Sequence, residues 1–311
     1  MPILPFRLLL IDTAAHTVLL ADGLSGELLA ERHLPSGLSP MGLAFCRQTS
    51  QAHLPFAAGN GSGALYFLDL PSFTLERFPA AIPPPVQYAL SPGGQRAYLA
   101  DSSGAIQLID IASAAIAPLT ASVSEGRCVG LATDGERVYG VWERRDGGFT
   151  AAWDRSGQCL WQSNLGGIPT GLSLTAQGTA LIPYTASTFS GEGVAIITPE
   201  AASIAPLQCS RCSSASPAYP SHAAISPDGA TAYIVYEDHG TIGILDLATA
   251  SITAAFPVGR SISRLALTAD GKFAVASSNM FADLCLIDLV NRKLLSFTTD
   301  REILSALAIV D

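Results

Sequence analysis

The sequence predicts an all-β fold made of seven copies of one four-stranded unit, and two recurring features support this prediction. The first feature is a hairpin in which an alternating strand, a Gly-containing turn and a second strand follow one another. It is clearest at residues 88–98, 223–233 and 265–275. Asp-Gly and Gly-Gly turns supply the positive φ that a tight turn needs, and the alternation gives each strand one buried face. The second feature is an apolar strand that ends in aspartate.

The spacing of these aspartates gives the number of repeats. They stand at Asp22, Asp69, Asp110, Asp154, Asp246 and Asp288, with separations of 47, 41, 44, 92 and 42 residues. The longest separation corresponds to two repeats, so one repeat takes about 44 residues, the size of one four-stranded blade of a β-propeller. We interpret the aspartates as turn formers whose carboxylates accept backbone N–H groups, and not as catalytic groups.

The two ends of the sequence are predicted to form one blade together. Residues 305–311 have the pattern of the first strand of a blade, and residues 6–34 have the pattern of the other three strands. We therefore predict a seven-bladed β-propeller whose ring is closed by the C-terminal strand, with no open sheet edge at the joint. Residues 1–311 are predicted to form a single domain. Its blades are 305–311 with 6–34, 38–80, 84–120, 124–163, 165–208, 221–257 and 261–299.

Composition agrees with this class and excludes others. Hydrophobic residues make up 49% of the chain and charged residues 14%, below the roughly 25% that is typical, as expected when strands are buried between blades. A net charge of -9 repels a phosphate backbone and excludes nucleic acid as a partner. The apolar run at residues 8–11 is broken by Asp12 and is too short for a membrane span. We expect a cytoplasmic protein with no membrane span.

Short motifs in the sixth predicted blade point to a known family. They are Ser-Pro-Asp-Gly at 226–229, Ala-Tyr-Ile-Val at 232–235 and Ile-Leu-Asp-Leu-Ala-Thr at 244–249. Together with their weaker copies, they resemble the YVTN-type seven-bladed propellers over essentially the whole chain. The resemblance implies the fold but no single activity, since lactonase-like propellers, amine-dehydrogenase heavy chains and surface-layer repeats share the architecture.

The predicted strand order divides the loops between two rims. The loops that enter each first strand share one rim with the loops joining strands two and three. Ligands of propellers usually bind at the mouth of the central channel, where several blades contribute polar groups. Alignment of the inner strands places Gln87, His222 and Arg264 in one column and Arg127 in the column beside it. These residues fit an anion or a carbonyl-bearing ligand. Alternatively, they satisfy buried backbone groups.

The densest charge lies in loops on that same rim. The candidate residues there are Glu143, Arg144, Tyr184, Tyr236, Glu237 and His239. Mixed charge is typical of a solvated surface. Its concentration over blades four to seven, together with the nearby aromatic residues Trp142 and Tyr219, nevertheless makes this sector the candidate binding site.

The six cysteines do not form a disulfide framework in a chain of this length. Four of them are single residues in apolar segments and are predicted to be buried thiols: Cys46, Cys128, Cys159 and Cys285. The pair Cys209 and Cys212 leaves three alternatives: a disulfide, two ordinary thiols, or part of a zinc site, which would need further ligands such as His222. We predict no metal and no cofactor.

Two functions fit the sequence. The absence of a nucleophile motif, a Walker loop or a dinucleotide fingerprint favours a non-catalytic propeller that binds a small ligand, a peptide or a partner protein. The alternative is a lactonase-like hydrolase that opens a sugar lactone. In that reading His222 is the general base, and Arg264 or Arg127 stabilises the oxyanion.

Overall fold

The computed structural model describes residues 6–119, 126–185, 192–198, 205–208, 219–259, 261–278, 283–298 and 304–310. The strands of the first half of the chain are β1 (Arg7–Asp12), β2 (Thr17–Asp22), β3 (Leu28–His33), β4 (Leu38–Pro40), β5 (Ala44–Cys46), β6 (Gln51–Ala58), β7 (Gly63–Asp69), β8 (Thr74–Arg77), β9 (Pro85–Leu90), β10 (Arg96–Asp101), β11 (Ile106–Asp110), β12 (Ile116–Pro118), β13 (Arg127–Thr133), β14 (Arg137–Arg144) and β15 (Gly147–Asp154). The strands of the second half are β16 (Cys159–Leu165), β17 (Ile168–Pro169), β18 (Ser173–Leu174), β19 (Ala180–Thr185), β20 (Gly193–Ile197), β21 (Ala205–Gln208), β22 (Pro220–Ile225), β23 (Thr231–Tyr236), β24 (Thr241–Asp246), β25 (Ser251–Pro257), β26 (Arg264–Leu267), β27 (Phe273–Ser277), β28 (Asp283–Asp288), β29 (Lys293–Thr298) and β30 (Leu304–Val310).

These strands form seven antiparallel sheets, which confirms the predicted seven-bladed β-propeller. In chain order the blades are β30 with β1–β3, β4–β8, β9–β12, β13–β16, β17–β21, β22–β25 and β26–β29. The inner strand is interrupted in blades two and five, where it consists of β4 with β5 and of β17 with β18. In the described part of the chain, no helix has the length and apolar character that a bilayer crossing needs.

The chain divides into two compact units, Met1–Pro85 with Arg264–Asp311 and Val86–Ser263. The first unit holds blades one, two and seven, and it contains the joint of the ring. There β30 pairs with β1 in antiparallel register from Arg7 opposite Val310 to Ile11 opposite Ala306. The predicted closure by the C-terminal strand is thereby confirmed. The single-domain organisation stays a prediction.

The apolar run of β1 is explained by its position between two cores. Leu9 and Ile11 point into one buried cluster, whereas Leu8 and Leu10 point into another. Neighbouring residues of a strand face opposite sides of the sheet, and both sides are covered here. In the second unit, Trp142 and Val141 on β14 likewise face different clusters. A strand buried on both faces needs apolar residues at every position, which accounts for the low charged fraction of the chain.

The repeated aspartates are turn formers, as predicted. Asp110 Oδ1 accepts the Ser113 N–H at 2.9 Å and the Ser113 hydroxyl at 2.7 Å. These hydrogen bonds from Ser113 hold the pKa of the Asp110 carboxyl below its usual range. A serine or threonine plays the same part at other blades, and the pKa is lowered in the same direction at Asp69, Asp154 and Asp246.

Candidate functional site

The residues predicted for the site fall into both units. Arg264 belongs to the first unit, and the other nine belong to Val86–Ser263. Within the second unit, most of them lie at the entry of an inner strand or near the turn between the second and third strands of a blade. The site is built from blade four onward.

Arg127 and Glu143 are brought together in blade four. Arg127 begins β13 and lies opposite Glu143 on β14. Its Nε and Nη2 atoms donate to Glu143 Oε2 at 3.1 Å and 2.7 Å. The two side chains are 74% and 35% exposed, so solvent screens the pair and it contributes little to stability. The pairing also engages the Arg127 guanidinium, which the hydrolase hypothesis would assign to an oxyanion.

Arg144 ends β14 and packs against its own blade. Its guanidinium carbon lies 4.1 Å from the centroid of the Phe149 ring on β15. A guanidinium over an aromatic face is attracted by the negative charge of that face. Arg144 therefore covers the Phe149 ring, and its Nε atom is buried.

The aromatic residues expected at the rim lie in the cores between blades. Tyr184 is 5% exposed, Tyr236 is 3% exposed and Trp142 is fully buried. The cause is the length of the second strands, because β14 and β23 continue through these residues before the chain turns. Solvent reaches Tyr219 instead, which is 41% exposed.

A glycine lies beneath each of these three rings. A Cβ added at Gly140 would meet the Trp142 ring at 2.1 Å, and one added at Gly243 would meet the Tyr236 ring at 2.8 Å. Gly167 stands in the same relation to Tyr184. A glycine in a strand often marks such a close approach. The three glycines lie at different sequence distances from their aromatic partners, so no spacing in the sequence could have indicated that these rings are buried.

In blade six, the inner strand and the turn between the second and third strands are linked. Glu237 and His239 belong to a short 3-10 helix, Glu237–His239, directly after β23. The Glu237 N–H donates to the carbonyl oxygen of Tyr219 at 3.0 Å, next to the start of β22. His239 is exposed, and His222 on β22 is half-buried. The structure thus places these polar residues around one end of blade six.

Hydroxyl groups of the inner strands connect neighbouring blades in the second unit. The Thr170 hydroxyl donates to the carbonyl oxygen of Pro220 at 2.6 Å, and the Ser173 hydroxyl donates to the carbonyl oxygen of Ala223. The Ser221 hydroxyl donates to the Ser263 carbonyl oxygen at 3.4 Å. The column that contains Thr170 and Ser221 therefore binds backbone groups of the next blade. His222 follows Ser221 on β22, where the pairing with β23 shifts its register between Pro220 and His222.

The column that contains His222 has polar side chains at some positions and no side chain at others. Gln87 is half-buried, and Gly171 leaves open space, since the nearest atom to an added Cβ is the Ser221 carbonyl oxygen at 3.9 Å. Cys128 in this column is buried, and burial raises the pKa of its thiol to about 12. Cys128 is therefore a protonated, inert thiol at neutral pH.

In the first unit, Arg264 begins β26. Solvent reaches its side chain, yet surrounding protein desolvates the guanidinium and lowers its pKa. Gly42 of the same unit is also an open position, with no atom within 4 Å of an added Cβ. The joint action of Arg264 and His222 that a hydrolase would need stays a prediction.

The cysteine predictions have mixed outcomes. Cys46, Cys128 and Cys285 are buried as predicted, but Cys159 is exposed, so its predicted burial is wrong. It begins β16, the outermost strand of blade four, which no further strand covers on its outer side. Cys209 and Cys212 lie outside the described residues. Within the described ranges, no three potential metal-ligating side chains of His, Cys, Asp or Glu come together.

Sequence reasoning missed a charged cleft on the opposite rim, which carries the hairpin turns. It lies between the turns of blades three and four and is lined by Arg96, Asp134, Glu136 and Arg155. In the sequence these residues are far apart and each has the pattern of an ordinary turn. The spacing of hairpins within one blade gives no information on the gap between two blades.

Comparisons with known proteins extend the fold assignment and leave the function open. The sequence matches no family model and no curated protein. A functionally unknown protein from Desulfotomaculum acetoxidans has a similar structure, with a TM-score of 0.73, 15% identity and 98% of each chain covered. Apo AztD from Citrobacter koseri has a TM-score of 0.67 and 12% identity, covering 99% of this chain and 98% of that one. The dihydro-heme d1 dehydrogenase NirN, solved in complex with DHE, has a TM-score of 0.62 and 15% identity, covering 97% of this chain and 74% of that one. At such identities the likeness shows the fold alone: the chain is a seven-bladed β-propeller.

Proposed function

We propose that this protein is a non-catalytic β-propeller that binds a small ligand, a peptide or a partner protein through the rim formed by its inner-strand entries and the turns between second and third strands. Blades four to seven supply most of the proposed binding residues, and Gln87 lies on blade three. One observation carries the proposal. Open space at Gly171 borders the entry of β22, where His222 is half-buried and its neighbour Ser221 approaches the glycine.

This opening has the features of a recognition site. Gly171 carries no side chain, and only the Ser221 carbonyl oxygen, at 3.9 Å, lies within 4 Å of an added Cβ. His222 follows Ser221 in the chain, and an imidazole can both donate and accept hydrogen bonds. Nearby, the carboxylate of Glu237 and the imidazole of exposed His239 are further polar groups. Pockets with a few placed polar groups are the usual binding sites of proteins.

The test fills the opening and removes the imidazole in separate variants. Gly171→Leu puts a side chain into space that is empty, and His222→Ala removes the hydrogen-bonding group. His33→Ala is the matched control, because His33 is an exposed histidine on the outer strand β3. Each variant is screened by thermal shift against sugar acids, sugar lactones and short peptides.

We expect compounds that stabilise the wild type and the control to lose their effect in both site variants. Binding that is unchanged in Gly171→Leu and His222→Ala would contradict the rim assignment. Consumption of a sugar lactone by the wild type, measured as proton release and absent in His222→Ala, would favour the hydrolase instead.

A further inference from the structure

The rim that carries the hairpin turns holds a cleft of about 310 Å³ between blades three and four. Both blades belong to the unit Val86–Ser263, so the cleft lies within one compact unit. Its polar lining consists of Ser91, Gln95, Arg96, Asp134, Glu136 and Arg155. This volume is at the lower end of the range that small-molecule sites occupy.

Three of the four charged groups in the cleft are engaged by the protein. Arg155 Nε donates to the Gly135 carbonyl oxygen at 2.6 Å, and its Nη2 forms an ion pair with Glu136. Asp134 Oδ1 accepts the N–H groups of Glu136 and Arg137 at 2.8 Å and 2.7 Å. These contacts shape the turn of blade four and neutralise the Glu136 carboxylate.

The fourth charged group, Arg96, differs from the other three in its contacts. Among the ion pairs of the described residues, none within 4 Å includes Arg96. Its backbone is fixed, because the Arg96 N–H donates to Ser91 Oγ at 3.1 Å and the Ser91 N–H donates to the Arg96 carbonyl oxygen at 2.9 Å. The side chain starts at the first residue of β10 and is half-buried.

A structural role for Arg96 opposite Asp110 is the competing explanation, since the two residues are partners across β10 and β11. The Asp110 carboxylate already accepts two hydrogen bonds from Ser113, and it is these bonds that mainly lower its pKa, with a smaller contribution from the charge of Arg96. Asp110 is thus a neighbouring charge of Arg96 and not its ion-pair partner. The Arg96 side chain shares a hydrogen bond with Tyr98, which uses one of the five N–H donors of the guanidinium.

The buried wall behind Arg96 supports a defined guanidinium position. Tyr98 is 1% exposed, and burial raises the pKa of its hydroxyl. The charge of Arg96, a hydrogen bond with the Arg96 side chain and the charge of Arg155 act against that rise. Two guanidinium groups therefore lie close to one buried hydroxyl. A partly desolvated guanidinium interacts more strongly with an anion than one in bulk water.

We propose that this cleft binds a small ligand through a carboxylate or phosphate group held by the Arg96 guanidinium. The planar fork of N–H donors matches the oxygen pair of either oxyanion. The Ser91 and Gln95 side chains line the same cleft and supply polar partners for the rest of the ligand. The site lies on the rim opposite the one proposed above, so either proposal stands without the other.

The test titrates the full chain by calorimetry with two probes, succinate for the carboxylate and inorganic phosphate for the phosphate. Sodium chloride keeps the ionic strength constant, because exposed charges are screened by salt. Arg96→Gln removes the charge and the fork, and Arg96→Lys keeps the charge without the fork. Arg77→Gln is the control, an exposed arginine on the outer strand β8 that belongs to neither proposed site.

We expect at least one probe to bind the wild type and Arg77→Gln with equal affinity. Arg96→Gln should bind that probe at least about tenfold more weakly, and Arg96→Lys should also bind it more weakly than the wild type. Binding of succinate alone or phosphate alone identifies the oxyanion class. Equal affinity in the wild type and in a folded Arg96 variant would overturn the proposal. So would the failure of both probes to saturate the wild type below about 10 mM.

Discussion

His53 is an ionisable residue placed where a charge is costly. It lies on β6 with 1% of its surface exposed, and its ring centroid is 4.5 Å from that of Phe67. Burial lowers the pKa of the imidazole from 6.5 to about 4. The folded state therefore binds this proton less tightly than the unfolded state, so stability from His53 is complete above pH 6.5 and is lost as the pH falls toward 4.

We predict that the free energy of unfolding decreases between pH 6.5 and pH 5 by up to about 1.4 kcal/mol per pH unit because of His53 alone. His53→Gln removes the titrating group at similar size and should flatten this pH dependence. Urea unfolding at pH 7, 6 and 5 measures the difference in slope.

His33→Gln is the control for this experiment, since it removes an exposed imidazole from the outer strand β3. Its slope should equal that of the wild type. If the slope of His53→Gln also equals that of the wild type, the folded protein accepts the proton on His53 readily, and the pKa assignment is wrong.

The second strand of blade four depends on a ring lying over a glycine. Trp142 is fully buried on β14, and its ring centroid lies 5.9 Å from that of Phe149 and 5.6 Å from that of Trp153. Gly140, two residues before Trp142 on the same face, has no room for a Cβ. The strand therefore holds the large ring by leaving out the side chain beneath it.

We predict that Gly140→Ala destabilises the protein by about 1–3 kcal/mol, because the methyl group displaces the Trp142 ring from a close-packed core. Combining it with Trp142→Leu should cost less than the sum of the two single substitutions. Denaturant unfolding of the four proteins completes the cycle. Gly171→Ala is the matched control, since its Cβ enters open space, and its stability should stay close to that of the wild type.

Local sequence patterns predicted the strands and turns well, but they do not determine the contacts between blades. Asp110 and Ser113 are three residues apart, so the turn that they form is legible in the sequence. The burial of Trp142 depends on Phe149, Trp153 and the neighbouring blade. The position of Arg96 at a cleft likewise depends on the gap between two hairpins. Neither relation has a fixed spacing along the chain.

At the scale of the whole molecule, stability depends on the pairing of β30 with β1. The four central residues of β1 are at most 1% exposed, and β30 covers the edge of that strand. An uncovered edge presents unpaired N–H and carbonyl groups beside apolar side chains, which favours pairing with other chains.

We predict that deleting residues 304–311 lowers the Tm by on the order of 10 °C or more and produces aggregates, because blade one then has three strands and an open edge. Calorimetry and size-exclusion chromatography measure the two effects. Removing Asp311 alone leaves every paired residue of β30 in place and should change little. A monomeric deletion variant with an unchanged Tm would contradict the role of the closing strand.

The joint also sets an order of events during synthesis. About 290 residues separate Asp12 from Leu304, and ribosomes add about 5–20 residues per second, so a nascent β1 waits about 15 to 60 s for its partner. Throughout that time the apolar segment Leu8 to Ile11 lacks its edge partner, and for most of it the seventh blade has not yet been made. During synthesis β1 is therefore an apolar segment with an unpaired edge, and it becomes protected from pairing with other chains only when β30 has been made.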